Sequence, residues 1–533
     1  MKRSVLWIGI IAGMITAVVV TALNYLGAQW LGLPRASFII FDWMARNLPG
    51  SLITAAIDTI VTAITRFNLG PTSAVAKQVE LGIAVAQFWV LGGVFGLILA
   101  WLYHPGSPKL ADYGAVGGLL VAVPPMLIVF TLPSAPVGIL ASLIWLGLVL
   151  TGWGWVLGRT IAVLVEQQPE QPEAMSRRQF LWLVGVGSFT VVATALGVSL
   201  LSQEESNRTA GQQPGTAEMP ASSGPAQSPS QPTLEARLQP APGTRPEITS
   251  NQDFYRIDIN TTPPRVDGQN WRLKVVGLVD HPLELSLDDL RGMPSTSQMI
   301  TLECISNQLG GDLISTALWT GVPLKHVLDQ AGLQSNAKEI YITSVDGFYE
   351  SVPMDEALDD RTLLVYEMNG EPLPVPHGFP LRIYIPGHFG MKQPKWIEQL
   401  EVIDHQGAGY WVDRGWSAQA IPPTTSVIDA VAEQAAQAGK IPVGGIAYSG
   451  DRGISKVEIQ VDDGPWTEAE LRDPPLSPLT WVQWRYEWDA QQGQHTFHVR
   501  AYDGTGALQT TEANPPHPNG ATGIFSLDEF IAG

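Results

Sequence analysis

The sequence has one cysteine, Cys304, in 533 residues. A single cysteine excludes an internal disulfide, so the thiol serves either packing or thiolate chemistry. Free cysteines are often buried as small hydrophobic residues. Here, however, Glu303 and Cys304 end an apolar run at 298–302, and a polar, glycine-containing loop follows at 306–312. This pattern predicts a strand that carries the thiol to the mouth of a loop, where functional sites are common.

Charged residues are also scarce, at 15%, and the net charge is −19. Nearly all of the acidity lies after residue 202, whereas residues 1–201 are strongly apolar. Nucleic-acid binding requires a basic face, so an acidic second half excludes nucleic acid as a partner. The length and the contrast between the two halves predict several domains.

The first 201 residues contain apolar runs long enough to cross a membrane as helices. We predict a transmembrane helical bundle with clear spans at 5–26, 81–102, 114–132, 136–157 and 180–201, and a weaker one at 51–65. We favour five spans, because Lys2 and Arg3 then lie inside the cell. His104 is the sole histidine of this half, which excludes a haem held by two histidines. The bundle is therefore expected to anchor the chain rather than to carry electrons.

The segment Ser176 to Leu181 resembles a twin-arginine export signal, with Arg177 and Arg178 as the pair. The alternative is an ordinary positive flank on the cytoplasmic side of a span. Both interpretations place residue 178 inside and residue 202 outside. Residues 202–246 are rich in Gln, Ser, Pro, Gly and Ala, which predicts a disordered linker. We therefore expect a multi-pass protein of the cell membrane whose C-terminal part is extracytoplasmic.

The run Cys304-Ile305-Ser306-Asn307, followed by Trp-Thr-Gly-Val-Pro-Leu at 319–324, resembles the molybdenum-binding segment of the sulfite oxidase superfamily. The resemblance implies an α+β molybdopterin domain at 247–425 and a molybdenum–molybdopterin cofactor. It also implies that the Cys304 thiolate binds the metal, and a soft thiolate suits such a metal.

A pterin with a phosphate group needs cations and fixed hydrogen-bond donors. The resemblance supplies these from the blocks 251–259 and 363–396. The implied cofactor-binding residues are Asn251, Tyr255, Arg256, Cys304, Asp346, His377, Arg382, Gln393 and Lys395.

Two positions depart from the classical sulfite enzymes. Position 257 is isoleucine where animal sulfite oxidases carry an arginine that contacts the oxyanion, and Arg256 lies one residue earlier. Asp413 falls where those enzymes carry an active-site tyrosine, although Tyr410 is close. We therefore take Cys304, Asp413 and Tyr410 as the catalytic candidates, and sulfite specificity is in doubt.

Residues 426–533 contain alternating strands, as expected for an all-β domain. We predict strands at Val443–Tyr448, Ile454–Val461, Trp481–Trp488 and His495–Tyr502, with turns at the two Asp-Gly pairs 463–464 and 503–504. The arrangement resembles the immunoglobulin-like dimerisation domain of the superfamily, which implies a β-sandwich and a homodimer.

The resemblance implies a membrane-anchored oxidoreductase that transfers an oxygen atom, with sulfite or another small oxyanion as substrate. One alternative is a sulfoxide reductase of the methionine sulfoxide repair type. A second is a binding protein without catalysis on the same scaffold, since fold does not fix function. With no haem motif in the chain, a separate electron-transfer partner is expected, either a cytochrome or a quinone-linked protein.

Overall fold

The computed structural model describes residues 3–104, 109–130, 138–166, 238–437 and 439–532. The chain divides into two compact units. The helical unit comprises Met1–Asn47 and Gln78–Ser228, and the mixed unit comprises Leu48–Lys77 and Pro229–Gly533. The twin-arginine-like motif, the predicted span at 180–201 and most of the predicted linker lie outside the described residues.

Among the described residues, six long or medium helices precede residue 167. They are α1 (Arg3–Leu31), α2 (Ala36–Asn47), α3 (Gly50–Arg66), α4 (Thr72–Leu102), α5 (Leu110–Val129) and α6 (Ile139–Glu166). Within the described residues, α1, α4, α5 and α6 are long and apolar enough to cross a membrane. The pair α2 and α3 is bent by 115°, and counting it as one broken span raises the total to five. The four long helices match the predicted spans 5–26, 81–102, 114–132 and 136–157.

Glycines allow close helix contacts inside the helical unit. A Cβ added at Gly154 of α6 would lie 2.9 Å from the Cα of Gly118 in α5. Likewise, a Cβ at Gly13 of α1 would lie 2.8 Å from the carbonyl carbon of Gly92 in α4. Small residues at such crossings let helix backbones approach closely, and this close van der Waals packing stabilises helix pairs in lipid.

The weak span predicted at 51–65 corresponds to α3, and it belongs to the mixed unit rather than the helical one. The reason is visible in its sequence, because Asp58 and five threonine or serine residues interrupt the apolar pattern. The chain thus passes from the helical unit into the mixed unit at Leu48 and returns at Gln78.

The first sheet of the mixed unit has the strand order β2-β1-β10-β5-β6. Its strands are β1 (Leu273–Gly277), β2 (Leu283–Leu285), β5 (Glu339–Ser344), β6 (Tyr349–Pro353) and β10 (Ile397–Ile403). β1 and β10 are parallel, and the other pairs are antiparallel. The core around this sheet includes the short helices α7 (Leu287–Arg291) and α8 (Leu324–Ala331). Ser286 caps α7, and its side chain accepts from Asp289 N.

The second sheet carries the cysteine loop. Its strands are β3 (Thr296–Glu303), β4 (Ile314–Pro323), β7 (Leu363–Met368), β8 (Glu371–Pro372) and β9 (Arg382–Tyr384), with β9 paired to β7. β3 and β4 are antiparallel, and Glu303 lies opposite Ile314. The loop between them therefore projects from the end of the strand pair, as the sequence predicted. The next helix begins only at Leu324, because Val322 and Pro323 still belong to β4 and pair with β7.

Two four-stranded antiparallel sheets form the C-terminal part of the mixed unit, in the orders β11-β12-β16-β15 and β14-β13-β17-β18. Their strands are β11 (Thr425–Val431), β12 (Lys440–Tyr448), β13 (Ile454–Val461), β14 (Thr467–Glu468), β15 (Glu470–Leu471), β16 (Val482–Asp489), β17 (Gly493–Asp503) and β18 (Phe525–Ile531). One core, which includes Val443, Trp484 and Phe497, joins residues of both sheets. The four strands predicted in this region are thus confirmed, with small shifts at their ends.

The end of the predicted linker is folded. Leu238 and Ala241 are buried, and Arg245 forms an ion pair with Asp429 of β11 at 2.7 Å. The ordered part of the mixed unit therefore begins before residue 247. Sequence composition missed this because a few apolar contacts on an existing sheet are enough to order a short segment that could not fold alone.

Candidate active site

The loop between β3 and β4 holds the thiol in a defined backbone turn. The amide of Cys304 donates to the Leu313 carbonyl, and the Cys304 carbonyl accepts from the Asn307 amide, both at 2.9 Å. Its sulfur lies 3.1 Å from the hydroxyl oxygen of Ser306. Burial raises the pKa of the Cys304 thiol, and the Ser306 contacts offset part of this effect. The loop thus positions the thiol, and binding to a metal ion would favour its thiolate form.

Asn307 and Glu303 fix this loop from inside. The side-chain amide nitrogen of Asn307 donates to Glu303 Oε1 at 2.9 Å, and its side-chain oxygen accepts from Leu313 N at 3.0 Å. The second oxygen of Glu303 is buried without a hydrogen-bond partner among the described residues. Burial raises the pKa of Glu303 to about 7. A cavity of about 20 Å³ adjoins this carboxylate and is also lined by Arg245. Such a volume is enough for one water.

An aromatic group lies beside the thiol. Phe254 and Tyr255 stack with ring centroids 5.5 Å apart, and Phe254 meets the edge of Trp319 at 5.4 Å. Burial raises the pKa of Tyr255 well above its ordinary value, and the nearby Cys304 adds to this. Gly390 allows the tyrosine to pack here, since a Cβ at that position would lie 2.6 Å from its hydroxyl oxygen.

Three basic side chains surround the buried carboxylate of Asp258. Arg256 and Lys395 each form an ion pair with it, and Lys395 also donates to the Ile257 carbonyl at 3.1 Å. Burial alone would raise the pKa of Asp258, but Lys395 and Arg256 outweigh it and hold the pKa at about 2. Arg382 is close enough to act on the same groups, and burial lowers its pKa to about 10. We call Arg256, Lys395 and Arg382 the cation cluster.

His377 and Arg382 are held by the aromatic group and the neighbouring backbone. The Nε2 of His377 lies 2.9 Å from the Asn251 carbonyl, so this nitrogen carries the proton, because a carbonyl only accepts. Arg382 donates to the His377 carbonyl at 3.2 Å, and its guanidinium lies 4.8 Å from the Trp319 ring centre. Burial, together with Lys395, lowers the pKa of His377 to about 3. The histidine is therefore neutral.

Asp413 and Tyr410 belong to a second aromatic group. Asp413 accepts a hydrogen bond from the Tyr349 hydroxyl at 2.7 Å. Tyr410 is buried, its ring centroid lies 5.7 Å from that of Tyr349, and the Arg414 guanidinium lies 3.6 Å from its ring centre. These contacts account for both residues structurally, and none of them involves the thiol.

Two further predicted cofactor ligands are engaged with the backbone. Gln393 receives a hydrogen bond from Ile385 N at 2.6 Å and donates to the carbonyl of the same residue at 2.8 Å. The Asp346 carboxylate accepts from Phe348 N at 3.0 Å in the β5–β6 turn. Both side chains are buried and shape the surrounding loops.

Comparison of the sequence with known proteins identifies its family. A model of the "Oxidoreductase molybdopterin binding domain" matches residues 260–411. Sulfite oxidase of Arabidopsis thaliana is 30% identical over 279 residues, which cover 43% of this chain and 71% of that protein. The chain belongs to the sulfite oxidase superfamily. Its cofactor is accordingly molybdenum–molybdopterin.

Two further relatives match over smaller shares of their own length. Mitochondrial sulfite oxidase of Rattus norvegicus is 30% identical over 301 residues, covering 48% of this chain and 55% of that protein. The chain thus spans about half the length of this relative. A putative protein-methionine-sulfoxide reductase subunit of Azospira oryzae is 34% identical over 152 residues, covering 28% of this chain and 56% of that protein.

The site residues fit the cofactor of the superfamily. The Nη2 of Arg256 is buried with no hydrogen-bond partner among the described residues, which leaves a donor for an anionic group. Lys395 lies among other cations, and burial, Arg382 and Arg256 all lower its pKa although Asp258 opposes them. A phosphate at this place would accept a hydrogen bond from Arg256 and reduce the repulsion between Lys395 and the other cations. The thiol of Cys304 would supply the soft ligand for the metal.

Sequence reasoning missed three contributors. Asp258 organises the cation cluster, and its spacing of two residues from Arg256 was a usable signal for a local pair. The Glu303 side chain was passed over because it was read only as the end of the strand. The third is the ion pair of Lys392 with buried Glu350, at 2.8 Å. The two residues of this pair are far apart in sequence, so no local sequence pattern predicts it.

Proposed function

We propose that the chain is a membrane-anchored oxidoreductase that transfers an oxygen atom to or from a small substrate. The observation that most strongly supports this proposal is that the Cys304 thiol, Tyr255 and the cation cluster are buried together in one site. When bound, the cofactor supplies a two-electron redox centre that accepts or gives up an oxygen atom. Cys304 would hold the metal, and Arg256, Arg382, Lys395 and His377 would hold the pterin and its phosphate.

The protein's own groups bind and orient rather than exchange protons. His377 stays neutral at ordinary pH because its pKa is about 3, so it acts as a donor with a fixed tautomer. Arg382 stacks on Trp319, so its guanidinium keeps one orientation. Asn307 and Glu303 keep the turn of the cysteine loop. Orienting groups of this kind reduce the entropy lost when substrate and cofactor meet.

Sulfite is the first substrate to test, and a sulfoxide is the second. Two observations favour the second over a classical sulfite oxidase. Position 257 is isoleucine, and the neighbouring Arg256 is already engaged through Nε with Asp258. In addition, the 34% identical relative from Azospira oryzae is named a putative protein-methionine-sulfoxide reductase subunit. Asp413 and Tyr410 remain candidates for contacts with a larger substrate at the edge of the site.

The deciding experiment compares the two reaction directions on purified, molybdenum-loaded protein. Sulfite-dependent reduction of an artificial acceptor supports the oxidase, and sulfoxide-dependent oxidation of a reduced dye supports the reductase. Cys304→Ser should abolish both and lower the molybdenum content, with the melting temperature of the cofactor-free protein nearly unchanged. Gln308→Ala, in the same loop, is the matched control. A parent protein without molybdenum would favour a binding protein and contradict the proposal.

We also propose that the chain crosses the cell membrane five times, with the mixed unit outside. Four described helices have the length and apolarity for this, and the fifth span, 180–201, follows the twin-arginine-like motif. The assignment of Leu48–Lys77 to the mixed unit supports this count, because α3 then does not cross. Replacing Arg177 and Arg178 by lysine tests the signal. Export by charge alone would leave protease access on spheroplasts unchanged, whereas a twin-arginine receptor would not.

The two C-terminal sheets are proposed to be an immunoglobulin-like domain that mediates a homodimer. Their packing around Trp484 and Phe497 supports the sandwich. Sedimentation of the detergent-solubilised chain tests the dimer. Electrons are expected to leave through a separate cytochrome or quinone-linked protein, since residues 1–201 contain one histidine.

A further inference from the structure

The outer face of the first sheet carries aromatic side chains that the core does not cover. In β5, Glu339, Tyr341 and Thr343 are half-exposed, whereas the residues between them are buried. Tyr349 of β6 is half-exposed as well, and its ring centroid lies 6.1 Å from that of Tyr341. Successive side chains of a strand point to opposite faces of a sheet, so Tyr341 lies on the face away from the core.

Further aromatic side chains connect this face with the cysteine loop. The ring centroid of Tyr410 lies 5.7 Å from that of Tyr349 and 5.2 Å from that of Trp411. Trp411 in turn packs against an apolar cluster that contains Ile305, the residue after Cys304. A continuous series of packed side chains therefore links the half-exposed tyrosines to the loop that carries the thiol.

The charges that act on Tyr341 are acidic. Glu401 of β10 is half-exposed and lies opposite Tyr341 in the strand register. Asp413 is exposed and accepts a hydrogen bond from the Tyr349 hydroxyl at 2.7 Å. Burial raises the pKa of Tyr341, and the carboxylates of Asp413, Glu401 and Glu350 raise it further. We call Tyr341, Tyr349, Glu401 and Asp413 the outer patch.

Basic residues near the outer patch are stacked, paired or farther away. The Arg414 guanidinium lies 3.6 Å from the ring centre of Tyr410. Lys392 pairs with the buried Glu350 at 2.8 Å. Lys274 is exposed on β1, two strands away from β5. Because the whole chain also carries a net charge of −19, a positively charged molecule is attracted to this surface from a distance.

We propose that the outer patch is the docking surface of the separate electron-transfer partner, a redox protein with a positively charged face. The inference rests on the proposed function and adds a place to it. Half-exposed tyrosines suit the centre of a protein interface, and the acids beside them would steer the partner. One turnover moves two electrons, so a partner with one haem must dock twice. Such repeated docking requires weak and reversible binding, as is usual between redox proteins.

The test uses the full-length, molybdenum-loaded chain in detergent, with a basic cytochrome c that carries one haem as the probe. Dissociation constants are measured by titration at low and high salt for the parent, Glu401→Lys, Tyr341→Ala and Glu468→Lys. Glu468 is the control, because it is exposed on β14 of the C-terminal sheets. We expect Glu401→Lys to weaken binding roughly tenfold at low salt and little at high salt, since salt screens exposed charges. Tyr341→Ala should weaken binding roughly fivefold at both salt concentrations, because an apolar contact is not screened.

The control should bind the cytochrome like the parent. Equal effects of Glu401→Lys and Glu468→Lys would mean that net charge alone attracts the cytochrome, and this overturns the inference. Turnover with a small uncharged quinone or quinol should be the same in the parent and in Glu401→Lys, whereas turnover with the cytochrome falls.

Two further outcomes separate the inference from its alternatives. Slower turnover of a protein-bound sulfoxide in Glu401→Lys, with unchanged cytochrome binding, means that the outer patch binds substrate, and this overturns the inference. A parent that is inactive with both redox reagents contradicts the proposed function itself. The titration needs no turnover, so it still decides whether the outer patch binds a basic redox protein.

Discussion

Asn307→Ala tests whether the cysteine loop is held by its internal hydrogen bonds. The substitution removes the donor to Glu303 Oε1 and the acceptor of Leu313 N, at 2.9 and 3.0 Å. Both Glu303 oxygens are then left without a hydrogen-bond partner in the described part of the chain, since Oε2 has none already. Leaving a buried polar group unsatisfied costs about 1–3 kcal/mol each. The expected loss of stability for the two groups, Glu303 Oε1 and Leu313 N, is about 2–6 kcal/mol.

The assay is thermal unfolding of the cofactor-free chain, followed by the near-ultraviolet signal of its tryptophans. For large domains 1 kcal/mol corresponds to roughly 2 °C, so the melting temperature should fall by about 4–12 °C. Gln308→Ala is the control, because this neighbour is half-buried in the same loop without a side-chain hydrogen bond among the described residues. A shift in Asn307→Ala no larger than in this control would refute the role of Asn307.

Asn307→Asp tests the same contact in a second, independent way. The new carboxylate keeps the acceptor for Leu313 N but faces Glu303 across 2.9 Å as a like charge. Two such carboxyls share a proton, which raises one of their pKa values. A raised folded pKa means that stability returns as the pH falls through it. The variant should therefore be much less stable than the parent at pH 8 and recover in part near pH 6. Equal instability at both pH values would mean that the loop is fixed by something other than this pair.

Three further predictions follow from the site and its surroundings. Gly390→Ala should displace Tyr255, whose hydroxyl would lie 2.6 Å from the new Cβ, and should lower cofactor occupancy several-fold by metal analysis. His377 has a folded pKa of about 3, so stability falls with pH below its unfolded value near 6.5. Between pH 7.5 and 5.0 the cofactor-free parent should lose about 2 kcal/mol more than His377→Gln, measured by denaturation; equal losses would contradict the buried neutral state. A fragment of residues 238–533 should stay soluble at temperatures where 247–533 aggregates, and identical behaviour would show that residues 238–246 contribute nothing.

Local sequence patterns were sufficient for much of the mixed unit. The apolar strand Leu363–Met368 runs into Asn369-Gly370, a local turn signal, and both turn residues have positive φ, 53° and 77°. The thiol at the end of β3 was predicted from an apolar run that meets a polar loop. These features depend on residues near one another in the chain, so their signals are local.

The rest depends on contacts between distant residues. Lys392 and Glu350 pair across 42 positions, and Lys77 reaches a carbonyl 183 positions away. Asp413 was chosen by its place in the chain, yet its side chain accepts from Tyr349. A linear sequence shows which residues are charged, but burial decides which of them meet, and burial is a property of the whole fold.

The mixed unit is discontinuous, and this sets an order of assembly. Its first piece ends at Lys77, and its main piece begins again only after residues 78–228 of the helical unit have been synthesised. Under the proposed export route the main piece crosses the membrane already loaded with its cofactor, while the first piece reaches the outer face with the early helices. The two pieces would therefore join last, on the outer side, after export. Maturation would then end with a docking step between the two pieces, which newly exported protein has yet to complete.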